Sequence, residues 1–139
     1  MYILGHLALG YFFSKPLKYF GYKINYLYIA FFSLLPDIDF LIPSITHRGP
    51  THSITAILVM MIASLIIRKL LPYFFAFSSH ILVGDLLTAN GVKLLWPISR
   101  KDYVIHTIFI TGQNQMFVEV ILFLLAILVF FITKDYKQT

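Results

Sequence analysis

The few acids and histidines of this chain do not scatter. They gather in short polar islands between long apolar runs, and that pattern limits the folds open to the chain more than any other feature. Asp37, Asp39, His47 and His52 fall within PDIDFLIPSITHRGPTHS, His80 and Asp85 within SHILVGDLLTANG, and His6 stands alone in GHLALG. Ionisable groups are costly in apolar surroundings, so where they persist they mark ion, substrate or proton sites. Carboxylate together with imidazole is a usual donor set for zinc or a similar divalent ion.

The surroundings are strongly apolar. Charged residues make up 12% of the chain, against about 25% in an average globular protein, and mean hydropathy is +0.82. A bilayer is the simplest solvent for such a sequence. The length of 139 residues fits one domain, residues 1–139. The absence of cysteine excludes thiolate ligands, disulfides and thiol nucleophiles. The net charge of +5 forms no nucleic-acid stripe, and no nucleic-acid partner is expected. Instead Lys15, Lys18, Lys23, Arg68, Lys69, Lys134 and Lys137 punctuate the ends of apolar runs, as flanks of membrane spans do. The start has no charged region before its apolar stretch and no cleavage motif, so it reads as part of the mature protein.

Five apolar segments are expected to be helices: residues 2–13, 24–35, 54–67, 72–87 and 116–132. Pro36 and the Asp pair end the second, Thr51 or Ser53 caps the third, and Asn90-Gly91 ends the fourth. Residues 91–115 form the most polar linker, with 103–110 readable as a short strand or an interfacial helix. The segments are short for spans, which need about 20 residues, and only the third and fifth approach that length. The expected fold is all-α: a compact membrane-embedded bundle of about five helices, some crossing only partly, with a metal site at one end. A very apolar soluble bundle is the alternative.

Up-and-down alternation of five helices has a consequence. Lys15, Lys18, Lys23, Arg68, Lys69 and the tail fall at one end, while His6, the loop 37–52, Asp85 and the linker fall at the other. The candidate ligands therefore converge. The basic end should be cytoplasmic, which places the site at the extracytoplasmic face of an integral cell-membrane protein.

Each polar group also has a plainer reading. Asp37 and Asp39, an i, i+2 pair after Pro36, would share a face in extended backbone and repel unless a cation or proton lies between them, or they are solvated acids of a helix-end loop. His47 and His52 are zinc donors or members of a hydrogen-bonded loop, and Arg48 beside them suits an oxyanion or phosphate. His80 and Asp85 would stand about 140° apart on an α-helix, off a common narrow face. They form either part of a site or a buried structural pair. His6 alone would be a satisfied core histidine. Glu119 suits a helix N-terminus better than a metal, and His106 in the linker is a weak ligand candidate. Trp96 and the tyrosines suit an interfacial belt. No Gly-rich phosphate loop, GxSxG, CxxC or HExxH occurs.

The run Leu34-Leu35-Pro36-Asp37-Ile38-Asp39, then His47-Arg48-Gly49-Pro50-Thr51-His52-Ser53, Ser79-His80, Asp85, Thr88, Gly91 and Leu95-Trp96-Pro97 resembles the YdjM-like family, as does the opening Gly5-His6 with Gly10. The resemblance covers the chain from His6 to about Glu119. It implies an inner-membrane-associated, metal-dependent hydrolase. That family in turn is distantly similar to the zinc-dependent phospholipase C and P1 nuclease group, helical enzymes that hydrolyse phosphoesters with clustered zinc. Carried over by position, the resemblance implies His6, Asp37, Asp39, His47, His52, His80 and Asp85 as metal ligands. Seven donors exceed one catalytic zinc site, so two or more ions are expected, zinc first and manganese second.

The expected activity is metal-assisted hydrolysis of a phosphoester on a lipid or other membrane-associated substrate, through an activated water. Asp37 or Asp39 would act as general base and Arg48 would stabilise phosphate charge. Lys93, Arg100 and Lys101 would draw anionic headgroups to the mouth. Membrane lipids are the expected partners. The alternative is a non-enzymatic binding or transport module with a structural metal or a His/Asp proton site. A structural protein that recruits a soluble partner ranks last, since the tail 134–139 offers little surface.

Overall fold

The computed structural model describes residues 1–43, 47–88, 91–105 and 112–137. His106 and Asn90 lie outside the described residues, as does most of the stretch 103–110. Five α-helices carry the fold: α1 (Ile3–Ser14), α2 (Tyr26–Leu34), α3 (Ile54–Ile66), α4 (Leu71–Ser79) and α5 (Gln113–Ile132). Among the described residues there is no strand, only one antiparallel bridge between Val92 and Tyr103. The all-α expectation stands, with boundaries close to those read from the apolar runs.

Local chemistry sets the helix starts. The Asn25 side chain accepts hydrogen bonds from the backbone N–H groups of Leu27 and Tyr28 and so caps α2. Ser53, not Thr51, caps α3 through a bond from the Ala56 N–H. The cap of α1 comes from elsewhere. Glu119 on α5 accepts from the N–H groups of Tyr2 and Gly5 at 2.8–3.2 Å, fastening α5 to the free end of α1. An acid near a helix N-terminus is the expectation for Glu119, and the helix it serves is α1.

Helix α1 is central and packs against α2, α4 and α5, while α3 packs on α4. Small residues allow the close approach: a Cβ at Gly10 would collide with Ser33 of α2. The core joins Ile29, Met60, Tyr73, Ala76, Phe77 and Ile81, with a second cluster of Ala8, Tyr11 and Ala126. At one end α1 meets α4 through a hydrogen bond from the Ser14 hydroxyl to the Pro72 carbonyl. There Lys15 and Lys18 also clamp the buried Asp135 beyond α5. Lys15 and Lys18 sit at this end, Lys23, Arg68 and Lys69 gather around one cleft, and Arg48 lies with the polar islands in the Asp/His cluster.

Among the described residues only α5 is long and apolar enough to cross a membrane, over Asn114–Ile132; α3 is apolar but has 13 residues. Both expose large apolar side chains, among them Leu58, Val59, Ile62, Leu124 and Leu128. Contiguous exposed apolar surface marks contact with lipid or protein.

Two local expectations are corrected. Asp37 and Asp39 are not in extended backbone. They lie in a 3-10 helix, Leu35–Leu41, with Pro36 in its first turn, so i, i+2 residues point to different sides. The fourth segment is also not one α-helix. After Ser79 it widens into a π-helical turn, His80–Asp85, marked by a bond from the Leu86 N–H to the Ile81 carbonyl at 3.1 Å.

Candidate metal centre

The π turn changes the geometry of the site. An i to i+5 ring brings residue i+5 about one turn above residue i, so His80 and Asp85 face the same way. His80 Nε2 lies 3.4 Å from Asp85 Oδ2. The 3-10 helix after α2 delivers Asp37 to the same point, and the 3-10 turn Pro50–His52 before α3 delivers His52. Three stretches that are distant in sequence thus supply four donors.

The four residues are Asp37, His52, His80 and Asp85, and the atoms that approach one another are Asp37 Oδ1, His52 Nε2, His80 Nε2 and Asp85 Oδ2. His52 Nε2 is 3.2 Å from His80 Nε2, 3.3 Å from Asp37 Oδ1 and 3.2 Å from Asp85 Oδ2. His80 Nε2 is 3.5 Å from Asp37 Oδ1. Zinc–donor bonds of about 2.0–2.1 Å imply tetrahedral edges of roughly 3.3–3.4 Å. Five of the six edges therefore have the length a tetrahedral ion requires. Asp85 Oδ2 is buried with only the His52 and His80 Nε2 atoms near it, at 3.2 and 3.4 Å, a setting in which a carboxylate oxygen needs a cation, either an ion or a protonated imidazole.

The imidazoles are held for this role. The Nδ1 of His80 is 2.6 Å from the Ser33 carbonyl, which can only accept, so Nδ1 carries the proton and Nε2 is left for the cage. His52 Nδ1 faces Thr51 Oγ1 at 3.0 Å and Asp39 Oδ2 at 3.4 Å. Fixing the remote ring nitrogen in this way is what supporting groups do at metal-binding histidines.

Asp37 also belongs to a second donor group with Asp39 and His47, so one carboxylate is shared between two adjacent positions. This second group is more open, with the His47 side chain 32% exposed. Asp39 is heavily engaged by its own chain. It accepts from the His47 ring, the Arg48 N–H and the Thr51 hydroxyl, each at 2.9 Å. These bonds shape the HRGPTHS loop. Arg48, at a positive φ of 60°, turns its guanidinium back onto Asp85 Oδ1 at 3.2 Å, and its Nη1 is buried without a partner. An anion beside the cage would satisfy that donor.

His6 stands beside the cage and in neither donor group. Its ring stacks on His80 at 3.5 Å, its Nε2 donates to the Met1 carbonyl, and its Nδ1 is buried against Gly84 without a partner. The linker closes over the loop: Lys93 N–H donates to the Arg48 carbonyl and Ile54 N–H to the Leu94 carbonyl. Lys93 Nζ itself pairs with Asp102.

Charge explains how a metal-free cluster holds together. Burial pushes Asp37 and Asp39 up, but hydrogen bonds from His52, joined by His80 at Asp37 and by His47 at Asp39, hold both well below the usual carboxylate range. Burial pushes His52 down, yet Asp37, Asp39 and Asp85 around it raise it to about 10. In the absence of a metal, a proton occupies the place an ion would take.

A small all-α chain with a buried His/Asp cage at one end of its bundle is the class that fold and site define. The family described as YdjM inner membrane protein matches residues 1–138, and the chain belongs to it. No curated protein and no solved structure matches the chain. Geometry apart, the shared role of Asp37 and the anchoring role of Glu119 carry no signal in the sequence, because each depends on a partner far along the chain.

Proposed function

We propose that the chain is a membrane-bound, metal-dependent hydrolase that cleaves a phosphoester on a lipid or another membrane-associated substrate. The observation that supports this reading most is the tetrahedral spacing of Asp37, His52, His80 and Asp85, 3.2–3.5 Å along five edges, beside an arginine with a buried unpaired Nη1. A divalent ion held there, zinc by donor type, supplies Lewis acidity to the ester and acidifies water.

The chain's own groups do the rest. Arg48 Nη1 is placed to hold a phosphoryl oxygen and offset charge that grows as water adds to phosphorus. Asp37, the one cage carboxylate open to solvent at 27%, suits the general base through whichever oxygen holds no ion, whereas both oxygens of Asp39 are already engaged by the chain. The attacking water would give its proton to Asp37, the phosphorus–oxygen ester bond would break, and the departing alkoxide would take that proton from Asp37 to leave as an alcohol. Lys15, Lys18, Lys23, Arg68 and Lys69 mark the cytoplasmic end; the cage would then open at the extracytoplasmic face of the inner membrane.

One observation favours the non-enzymatic alternative. Four protein donors are the number of a closed, structural zinc site, whereas catalytic sites keep a position open. The two readings part on turnover. Detergent-purified protein reconstituted with zinc or manganese is assayed with p-nitrophenyl phosphate and a long-chain phosphatidic acid. Metal-dependent release of phosphate, reduced about 100-fold in Arg48→Ala at unchanged metal content, is expected from the loss of a charge-stabilising donor. Full metal loading without turnover on either substrate makes the site structural.

A further inference from the structure

The chain has six acidic side chains, and all of them are engaged. Asp37, Asp39 and Asp85 belong to the metal centre, Glu119 holds the start of α1, Asp102 pairs with Lys93, and Asp135 pairs with Lys15 and Lys18. Lys23, Arg68 and Lys69 are exposed and have no carboxylate partner among the described residues. All three line one cleft of about 1120 Å³, roomier than the about 300–1,000 Å³ of most small-molecule sites.

The cleft lies between α2 and the corner where α3 gives way to α4. Leu27 and Phe31 of α2 form one wall, Ile67 of the corner the other, and buried Tyr73 of α4 lies between them. The three wall residues are apolar and more than half exposed. The Tyr73 hydroxyl accepts from the Asn25 N–H, which holds the turn carrying Lys23 against the corner carrying Arg68 and Lys69. Ser14, at the end of α1, bonds Pro72 next to Tyr73, so the cleft opens at the end of the bundle away from the metal centre. Arg68 and Lys69 follow α3, whose negative end suits them. Lys23 has no such reason: it stands two residues before the Asn25 cap of α2, at the positive end of that helix, where a cation is disfavoured unless an anion lies beside it.

We infer that this cleft binds one anionic phospholipid, with its phosphate among Lys23, Arg68 and Lys69 and an acyl chain along the apolar walls of α2 and the α3–α4 corner. The chain belongs to a family of inner membrane proteins, so such lipids surround it. Basic pockets between membrane helices hold anionic headgroups, and an acyl chain covers exposed apolar area that a soluble anion would leave bare. The site is separate from the metal centre and does not depend on the hydrolase reading.

The test titrates full-length protein in neutral detergent with dioleoyl phosphatidylglycerol or dioleoyl phosphatidylcholine and counts the lipid retained per chain by native mass spectrometry. One phosphatidylglycerol should bind, about tenfold or more tighter than phosphatidylcholine. Each cation beside an anionic headgroup is worth about fivefold, so Arg68→Gln/Lys69→Gln should weaken phosphatidylglycerol about 25-fold and leave phosphatidylcholine unchanged. Lys23→Gln, on the other wall, should weaken it about fivefold and gives an independent reading if the double variant misfolds. Lys134→Gln/Lys137→Gln removes the same charge from exposed residues outside the cleft and should bind as wild type. Equal losses in the two double variants mean general attraction to a basic protein and overturn the site. Equal binding of the two lipids means bulk contact and overturns it too. So does displacement of phosphatidylglycerol by inorganic phosphate where sodium chloride of equal ionic strength has no effect, since the ligand is then a free anion. A dimer in place of the lipid-bound monomer would make the face an interface between copies, and the assignment would fall.

Discussion

His80 Nε2 and Asp85 Oδ2 lie 3.4 Å apart, and they do so because the chain between them winds as a π turn. On a regular α-helix the same five-residue spacing would leave them about 140° apart. Such wide turns cost helical regularity and are frequent at functional sites. Here the cost places a carboxylate in the cage, where His52 and Asp37 complete the donor set.

Asp37 is the residue shared by the two donor groups, so the ions should not be lost independently. Elemental analysis of protein loaded with excess zinc should give about two equivalents per chain, as expected when a carboxylate links adjacent sites. Asp37→Ala should lose both, whereas His47→Ala should lose about one, from the more exposed group, and His80→Ala should lose the buried one. Equal losses in the Asp37 and His47 variants would show that Asp37 serves a single ion.

Gly84 sits inside the π turn, where a Cβ would meet the His6 ring at 2.5 Å. That ring is buried and stacked on His80, so it has little room to yield. Gly84→Ala should therefore destabilise the protein by about 1–3 kcal/mol, the usual range for overpacking, and weaken metal binding by displacing His80. Thermal unfolding with and without zinc checks both. A variant as stable as wild type, with full metal content, would show that His6 can move freely.

The architecture is legible in the sequence because apolar run lengths and cap residues act locally. Counting helices is enough to bring Asp37, His52, His80 and Asp85 to one end. What stays hidden depends on backbone detail or distant partners. The 3-10 winding after Pro36 turns Asp37 into the cage and Asp39 onto the loop, while an oxygen of each stays within 4.8 Å of the other in the group they form with His47. The π turn brings His80 and Asp85 onto one face, where regular helical spacing would part them. Glu119 reads in the sequence as an acid of its own helix, yet it caps α1 across the bundle. His6 lies near the ligands, as helix counting places it, but stacking on His80, not spacing, determines what its ring can do.

His52 carries a proton up to about pH 10 in the metal-free protein, against burial, because three aspartates surround it. Its folded pKa lies above the unfolded value near 6.5. The stability it contributes is complete below pH 6.5 and is lost as pH rises toward 10. An ion must displace that proton, so zinc affinity should rise about tenfold per pH unit over this window for one proton released. Calorimetry in buffers of different ionisation enthalpy checks it. Binding without proton release would place His52 outside the coordination shell.

At the opposite end Asp135 is buried, with Lys15 and Lys18 each 2.7 Å away and the Tyr11 hydroxyl donating at 2.8 Å. The arrangement ties the end of α5 to the end of α1, as Glu119 does at the other end. Burial pushes Asp135 up, but the two lysines outweigh it and hold the carboxyl below its usual range. A depressed carboxylate contributes stability that is present above the unfolded pKa near 3.9 and is lost as pH falls below it. Asp135→Ala leaves Lys15 buried without its counter-charge and should cost about 3–5 kcal/mol, the range for breaking a buried pair. In wild type, acid should cut stability below about pH 4, and in Asp135→Ala that part of the acid dependence should be absent. Because the cage is at the far end of the bundle, zinc content of the folded variant should match wild type. A variant that loses zinc while its melting temperature is unchanged would show that the basic end and the metal centre are coupled through α1.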